Sequence, residues 1–289
     1  MSDQFPGGSP GSARALRAAW TGVALAAAGA LLLFTGLRGC SEAPSAGPGT
    51  SAIASVVPPT PVSAQELAKL TQATTFTTIA AATPDQDPFT VTDGTVMRPL
   101  TPQVIYAVPG GKPIAVLPAT ELGGPTWVPV VQSAPGWDQV LLPSRPDRAT
   151  GWVYTDGTAG SELTIRRSAY LIRIQVAARK LSVDDNGASL GTWTVAVGAT
   201  KTPTPTGRTF LLALLAPPHP TYSPLILPLG THSNALSTFG GGPGTVGLHG
   251  WPDPSVFGQA VSNGCVRVPA TTLKLLSKIP LGTLVLITP

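Results

Sequence analysis

Residues 249–268 read HGWPDPSVFGQAVSNGCVRV. Cys265 is one of two cysteines in the chain, and His249, sixteen positions before it, is one of three histidines. A thiol becomes a useful nucleophile when a base lowers its pKa or takes its proton, and histidine is the usual partner. The oxyanion formed on attack needs backbone N–H donors, and a glycine before the nucleophile lets the chain present them. Ser262-Asn263-Gly264 supplies that small, permissive approach to Cys265. Arg267, two residues further on, can add positive field or hold a substrate carboxylate. From the residues alone this is a candidate Cys–His pair, with a buried structural cysteine as the plainer alternative.

Outward from this stretch the chain reads as strands. YLIRIQV (170–176) alternates in part, RKLSV leads into Asp185-Asn186-Gly187, and GTWTVAVG follows. Asn-Gly between β-like runs is a strong short-range hairpin signal. TPTPTG (202–207) is a turn-forcing stretch, followed by the apolar FLLALLA, LILPLG, a glycine-rich loop and a closing TLVLIT. PATTLKLLSKI (269–279) is the one convincing helix, with Thr271 or Thr272 near its start. Charged residues make up only 11% of the chain while Gly and Pro number 32 each, which favours turn-rich β structure over helical bundles.

The ordered pattern of His249, Gly250, Gly258, Ser262, Gly264, Cys265, Val266 and Arg267 resembles the signature of the YkuD-type L,D-transpeptidases. TPTPTGRTF and LGTHS, ahead of the glycine-rich loop, are similar to further parts of that family's pattern. The resemblance covers about residues 163–289. It implies a YkuD-like β-sandwich with a minor helix and a two-step acyl transfer on peptidoglycan stem peptides. In that scheme Cys265 attacks the third residue of a tetrapeptide stem and expels the terminal D-Ala. His249 acts as base and then acid, the Gly250 carbonyl orients its imidazole, and the N–H groups of Gly264 and Cys265 hold the oxyanion. An amine from a second stem resolves the thioester into a 3→3 cross-link, and carbapenems acylate the same cysteine. One position departs from the family: Asn263 stands where a histidine is usual, two places before the nucleophile. Asn donates and accepts hydrogen bonds but does not titrate, so rate or substrate preference is the property in question. A carboxypeptidase or hydrolase on the same scaffold, and a non-catalytic wall-binding protein, are the alternatives. Neither a cofactor nor a metal is expected, since no His/Cys/Asp spacing suggests zinc.

Residues 90–160 contain short β-like runs broken by turn residues, as expected of a small barrel. Gly136-Trp137-Asp138 followed by Gly151-Trp152-Val153 is similar to the bacterial SH3-like wall-associated domain. Trp127, Trp137 and Trp152 are ligand candidates, although tryptophan in a small barrel is more often core. Asp138, Asp147 and Asp156 have no His or Cys near them in sequence and read as solvated surface. His219, between two prolines, reads as a loop residue; His232, in LGTHS, reads as structural or substrate-lining.

From Ala18 to Leu37 no residue is charged, and twenty residues at 1.5 Å rise span roughly 30 Å, the thickness of a bilayer's hydrocarbon core. Arg14 and Arg17 precede the run, which places residues 1–17 in the cytoplasm and the rest outside. Leu37-Arg38-Gly39-Cys40 resembles a lipobox, so lipidation at Cys40 competes with an uncleaved anchor. Residues 38–89 read as a Pro/Ser/Ala/Thr-rich linker with a short helix near AQELAKL. The expected architecture is therefore mainly β: a transmembrane helix (18–37), a linker, an SH3-like barrel (90–160) and the catalytic domain (161–289). Residues 84–160 carry four Lys/Arg against seven Asp/Glu, whereas residues 161–289 carry ten against four. A basic second half suits an anionic polymer. Nucleic acid is excluded as a partner by the absence of Lys/Arg runs and of interleaved aromatic and basic residues.

Overall fold

A computed structural model describes residues 55–157, 162–239 and 241–289. The 18–37 segment and Cys40 lie outside the described residues, among which no helix is long and apolar enough to cross a membrane. The first part of the chain, after a short helix α1 (Ala64–Leu67), contributes β1 (Thr83–Pro84), β2 (Thr95–Pro99), β3 (Gln103–Tyr106), β4 (Pro113–Leu117) and the small ribbon β5 (Thr120–Glu121) with β6 (Gly124–Pro125). It continues through β7 (Val128–Ala134), β8 (Trp137–Leu141), β9 (Ala149–Tyr154) and β10 (Leu163–Arg167). These pair in the order β10-β2-β7-β8-β9-β3-β4, with β1 added on β9. Met97, Ile105, Leu117, Val128, Val140 and Val153 form its apolar core. Trp137 and Trp152 are buried, whereas Trp127 stays half-exposed. Trp137 meets Tyr106 and Tyr154 edge-on at 5.2 and 5.1 Å between ring centroids and donates through Nε1 to the Val57 carbonyl at 2.7 Å. That satisfies the one polar atom a buried indole carries.

Two boundaries differ from the sequence reading. The strand Leu163–Arg167, expected to open the C-terminal domain, pairs along its whole length with β2 of the first sheet. The segment expected as a linker to residue 89 enters the core from Ala73 onward, with Ala73, Thr75 and Ile79 buried. The Thr/Ala-rich run carries little apolar pattern, because its burial is satisfied by hydrogen bonds as much as by hydrocarbon. Ala73 N–H donates to the Val116 carbonyl and Ile79 N–H to the Arg145 carbonyl.

The second part contains β11 (Tyr170–Gln175), β12 (Lys180–Asp185), β13 (Ala188–Thr194), β14 (Val197–Gly198), β15 (Gly207–Phe210), β16 (Ile226–His232) and β17 (Thr245–His249). A 3-10 turn (Pro254–Val256), β18 (Ala260–Ser262), β19 (Val266–Arg267), helix α2 (Ala270–Leu276) and β20 (Leu284–Thr288) complete it. Asn186 (φ 48°) and Gly187 (φ 81°) make the β12–β13 turn, both in the left-handed conformation a tight hairpin demands. One sheet runs β13-β12-β11-β20-β15 and a second β16-β17-β19. Ile172, Leu181 and Ile287 from the first sheet share a core with Leu227, Leu248 and Val266 from the second and with Leu273 and Leu276 of α2. The architecture is mainly β, two sheets over one core with a single well-formed helix against it.

The two parts are not separated by a solvated gap. Phe210, Leu212 and Leu284 of the second belong to the core of the first. Gly230 lets the Phe210 ring approach, since a Cβ there would sit 2.3 Å from Phe210 Cε1. Arg208, itself buried, donates from Nε and Nη2 to the two Asp85 oxygens at 2.7 Å each, and from Nη1 to the Thr90 carbonyl at 3.1 Å. A bidentate pair with a further bond from the third nitrogen is the geometry in which buried charges are tolerable.

Candidate active site

The parallel pairing of β17 with β19 sets His249 opposite Arg267 and Leu248 opposite Val266. The turn 263–265 enters β19 directly, so one register brings Cys265, His249 and Arg267 to a common cavity of about 360 Å³. Asn263 and Ser262 line it too, as do Tyr222 and Trp251. Within the turn, Gly264 adopts φ 116°, a conformation that side chains rarely take. Ser262 is buried; its hydroxyl donates to the Cys265 carbonyl and accepts from the Gly264 N–H at 3.1 Å. The Gly264 N–H is therefore used within the turn, which corrects the expectation that it faces an oxyanion.

The Thr-Pro turn upstream holds this loop from below. Thr204 Oγ1 donates to the Gly264 carbonyl and accepts from the Gly198 N–H, both at 2.8 Å, while Thr202 Oγ1 donates to the Ser262 carbonyl at 2.8 Å. The sequence reading treated TPTPTG as a turn; two of its hydroxyls clamp the loop that carries Cys265. Pro203 between them has a fixed φ, so the two threonines are presented at a set spacing.

His249 Nδ1 donates to the Gly250 carbonyl at 2.7 Å. That bond places the remaining lone pair of the neutral ring on Nε2. Gly250 is itself held, its N–H donating to Ser223 Oγ at 2.8 Å. The Tyr222 ring stands edge-on to the imidazole with centroids 4.9 Å apart, and the Arg267 guanidinium lies 3.5 Å above the Trp251 ring centroid. Burial pushes the half-buried Cys265 thiol up, against a backbone hydrogen bond from Gly247 and the Arg267 charge, which pull it down. Burial also pushes His249 down, opposed by the Gly250 bond and aided by Arg267. Both directions favour a neutral thiol and a neutral imidazole on the same cavity at neutral pH. Such a pair can act by moving the thiol proton as the nucleophile attacks, without a standing ion pair.

The sequence reading missed Tyr222, Trp251 and the far wall of the cavity. Trp251 stands two residues after His249, whereas Tyr222 lies in a Pro-rich loop with no periodic signal. That wall, at Thr245, is backed by the first part of the chain. Thr75 Oγ1 meets Thr245 Oγ1, which lines the cavity, at 2.5 Å and His232 Nε2 at 3.0 Å. His232 is fully buried; Nε2 also meets the Thr75 carbonyl at 2.8 Å, and Nδ1 meets Asp147 Oδ1 at 3.1 Å. His232 is thus structural and does not line the cavity. Asp147 is no solvated surface residue either, because its Oδ1 also accepts the His232 backbone N–H at 2.8 Å. Arg145 reaches the carbonyls of Ser233, Leu236 and Pro243 in the loop that leads to Thr245. His219 is an exposed loop residue.

Residues 169–287 match the family model of the YkuD L,D-transpeptidase catalytic domain. Two relatives carry the name L,D-transpeptidase YkuD. The Bacillus licheniformis protein is 33% identical over 158 residues, covering 52% of this chain and 86% of its own length. The Bacillus subtilis protein is 31% identical over 119 residues, covering 41% of this chain and 65% of its own length. Among solved structures, an L,D-transpeptidase from Mycobacterium smegmatis aligns with 56% of this chain and 99% of its own, at 15% identity and a TM-score of 0.36.

Proposed function

The chain belongs to the YkuD family of L,D-transpeptidase catalytic domains, and from that premise we propose that it is a cysteine acyltransferase that forms 3→3 cross-links between peptidoglycan stem peptides. The observation that carries this reading is the placement of Cys265, His249 and Arg267 in one cavity, with the His249 tautomer set by the Gly250 carbonyl. Cys265 Sγ attacks the carbonyl carbon of the third stem residue as His249 Nε2 takes the thiol proton. The tetrahedral intermediate collapses with cleavage of the bond to the terminal D-Ala, whose amine receives that proton from His249. The thioester is then attacked by the amine of a second stem, His249 accepts the amine proton, and the cysteine thiol is restored. With the Gly264 N–H engaged by Ser262, the Cys265 N–H takes the role of backbone donor to the oxyanion in this reading. Arg267, stacked on Trp251, is placed to hold a stem carboxylate.

In the same reading residues 18–37 anchor the chain in the cell membrane and hold residues 64–289 on the outer side. The uncharged run and the two preceding arginines support that arrangement. The Gly-Trp motifs and short antiparallel strands support an SH3-like, wall-associated role for residues 90–160.

The test is intact-mass measurement of the full chain after incubation with a carbapenem, beside Cys265→Ala. One adduct on the parent protein and none on the variant is expected. The same protein given tetrapeptide stems should release D-Ala and yield 3→3 dimers. A folded parent chain that takes no adduct across pH 6–9 would refute the proposal.

A further inference from the structure

A second cleft, of about 450 Å³, lies at the seam between the two parts of the chain and shares no lining residue with the cavity of Cys265. Trp127 and Val96 line it from the first part, and Pro280 and Leu281 from the second. Gly282 lets the turn after α2 come against the indole, since a Cβ there would lie 2.9 Å from Trp127 Cβ. The seam is closed by a 2.7 Å hydrogen bond between the Ser168 and Thr283 hydroxyls, with Ser168 itself on the lining.

Cations gather on this cleft. Arg166 Cζ stands 5.6 Å from the Trp127 ring centroid, and Arg167 lines the cleft with its Nε donating to the Asp93 carbonyl at 2.7 Å. Arg166 faces Val96 across the β10–β2 register, and Arg98 follows Val96 by two residues along β2. The alternation of a strand therefore puts Arg98 on the same face. Its Nε is buried and has no hydrogen-bond partner. No carboxylate residue lines the cleft, and among the described residues none of the three guanidiniums is in an ion pair. Arg98 and Arg166 are like charges on one sheet face, and Arg167, next along β10, adds a third at the lining of the cleft; an anionic ligand offsets their repulsion.

We propose that this cleft binds a carboxylate-bearing sugar chain, with Arg166 and Arg167, which line it, on the carboxylates, Arg98 adding positive field behind them, and a pyranose ring against Trp127 and the proline surfaces. The guanidinium fork matches a planar carboxylate with two parallel hydrogen bonds. The flat indole, flanked by Pro125 and Pro280, offers an apolar platform for the C–H face of a sugar ring. An acidic peptide would satisfy the arginines but has no ring to match that platform. The proposal goes beyond the chemistry at Cys265 and stands or falls separately from it.

The full chain, held in a neutral detergent, is titrated with fluorescently labelled oligogalacturonate, neutral chito-oligosaccharide, poly-glutamate and a glycerol-phosphate polymer. Arg166→Glu/Arg167→Glu is measured beside the parent, and unfolding midpoints establish that both are folded. Both arginines are exposed, so the charge reversals do not threaten the core. The parent should bind oligogalacturonate at least about tenfold more tightly than the neutral sugar, with affinity falling as salt is raised. The double variant should lose about tenfold or more, while carbapenem adduct formation at Cys265 stays as in the parent. Equal affinity in parent and variant, or no binding of oligogalacturonate by the folded parent, would overturn the site. Tighter binding of poly-glutamate or of the glycerol-phosphate polymer would overturn the assignment to a carboxylated sugar.

Discussion

Glu121 gives the sharpest test of the wall that supports the active site. It lies in the β5–β6 ribbon, 7% exposed, with Oε1 accepting the Thr75 N–H and a buried Oε2 that has no hydrogen-bond partner. Burial raises its carboxyl from 4.5 to about 7, against the lowering effect of the Thr75 bond. The folded state therefore holds this proton where the unfolded chain has lost it. Between pH 4.5 and 7 the native state binds more protons than the unfolded state, so stability falls as pH rises through this window. The stability linked to this proton is fully present below pH 4.5 and lost above 7. At about 1.4 kcal/mol per unit, a shift from 4.5 to about 7 corresponds to roughly 3 kcal/mol. Glu121→Gln keeps the oxygen that accepts from Thr75 and removes the charge. Denaturant unfolding of the parent and Glu121→Gln at pH 5 and pH 8.5 isolates the effect, because other titrating groups cancel in the difference between the two proteins. The parent should lose up to about 3 kcal/mol more than the variant between the two pH values. Equal losses in the two proteins would show that the Glu121 proton is not held as described.

Asp85→Ala leaves Arg208 buried without its carboxylate and should cost about 3–5 kcal/mol by denaturant titration; Asp85→Ala combined with Arg208→Met should recover part of that loss. Because burial pushes His249 down, carbapenem acylation of Cys265 should hold at pH 6.5 and decline only at lower pH, as the imidazole gains its proton. A rate profile whose midpoint lies above 6.5 would contradict that direction. Thr204→Val removes both hydrogen bonds that its hydroxyl makes to Gly198 and Gly264. It should slow acylation and destabilise by about 1–3 kcal/mol, while Thr204→Ser, which keeps the hydroxyl, restores the rate.

What could be read from the sequence and what could not divide along one physical line. The β12–β13 turn was legible because Asn186-Gly187 states a local demand, positive φ at two successive residues. The cluster in the cavity was legible because Cys265, His249 and Arg267 carry unusual side chains within one short stretch. The far wall of the cavity has no such local signal. Thr75 and Thr245 are 170 residues apart, and Asp147 and His232 are 85 apart. Each is an ordinary polar residue whose burial makes sense only beside its distant partner. The same holds for β10, whose strand pattern is plain but whose choice of β2 over the second sheet is a matter of pairing. The consequence concerns the mechanism as well as the fold. The first part of the chain holds the loop between β16 and β17 through Arg145, and the strand ends on either side of it through Asp147 and Thr75. His249 sits at the far end of β17 from Thr245. The first part therefore braces the strand that carries His249, and loosening it should slow carbapenem acylation without a change at Cys265 itself.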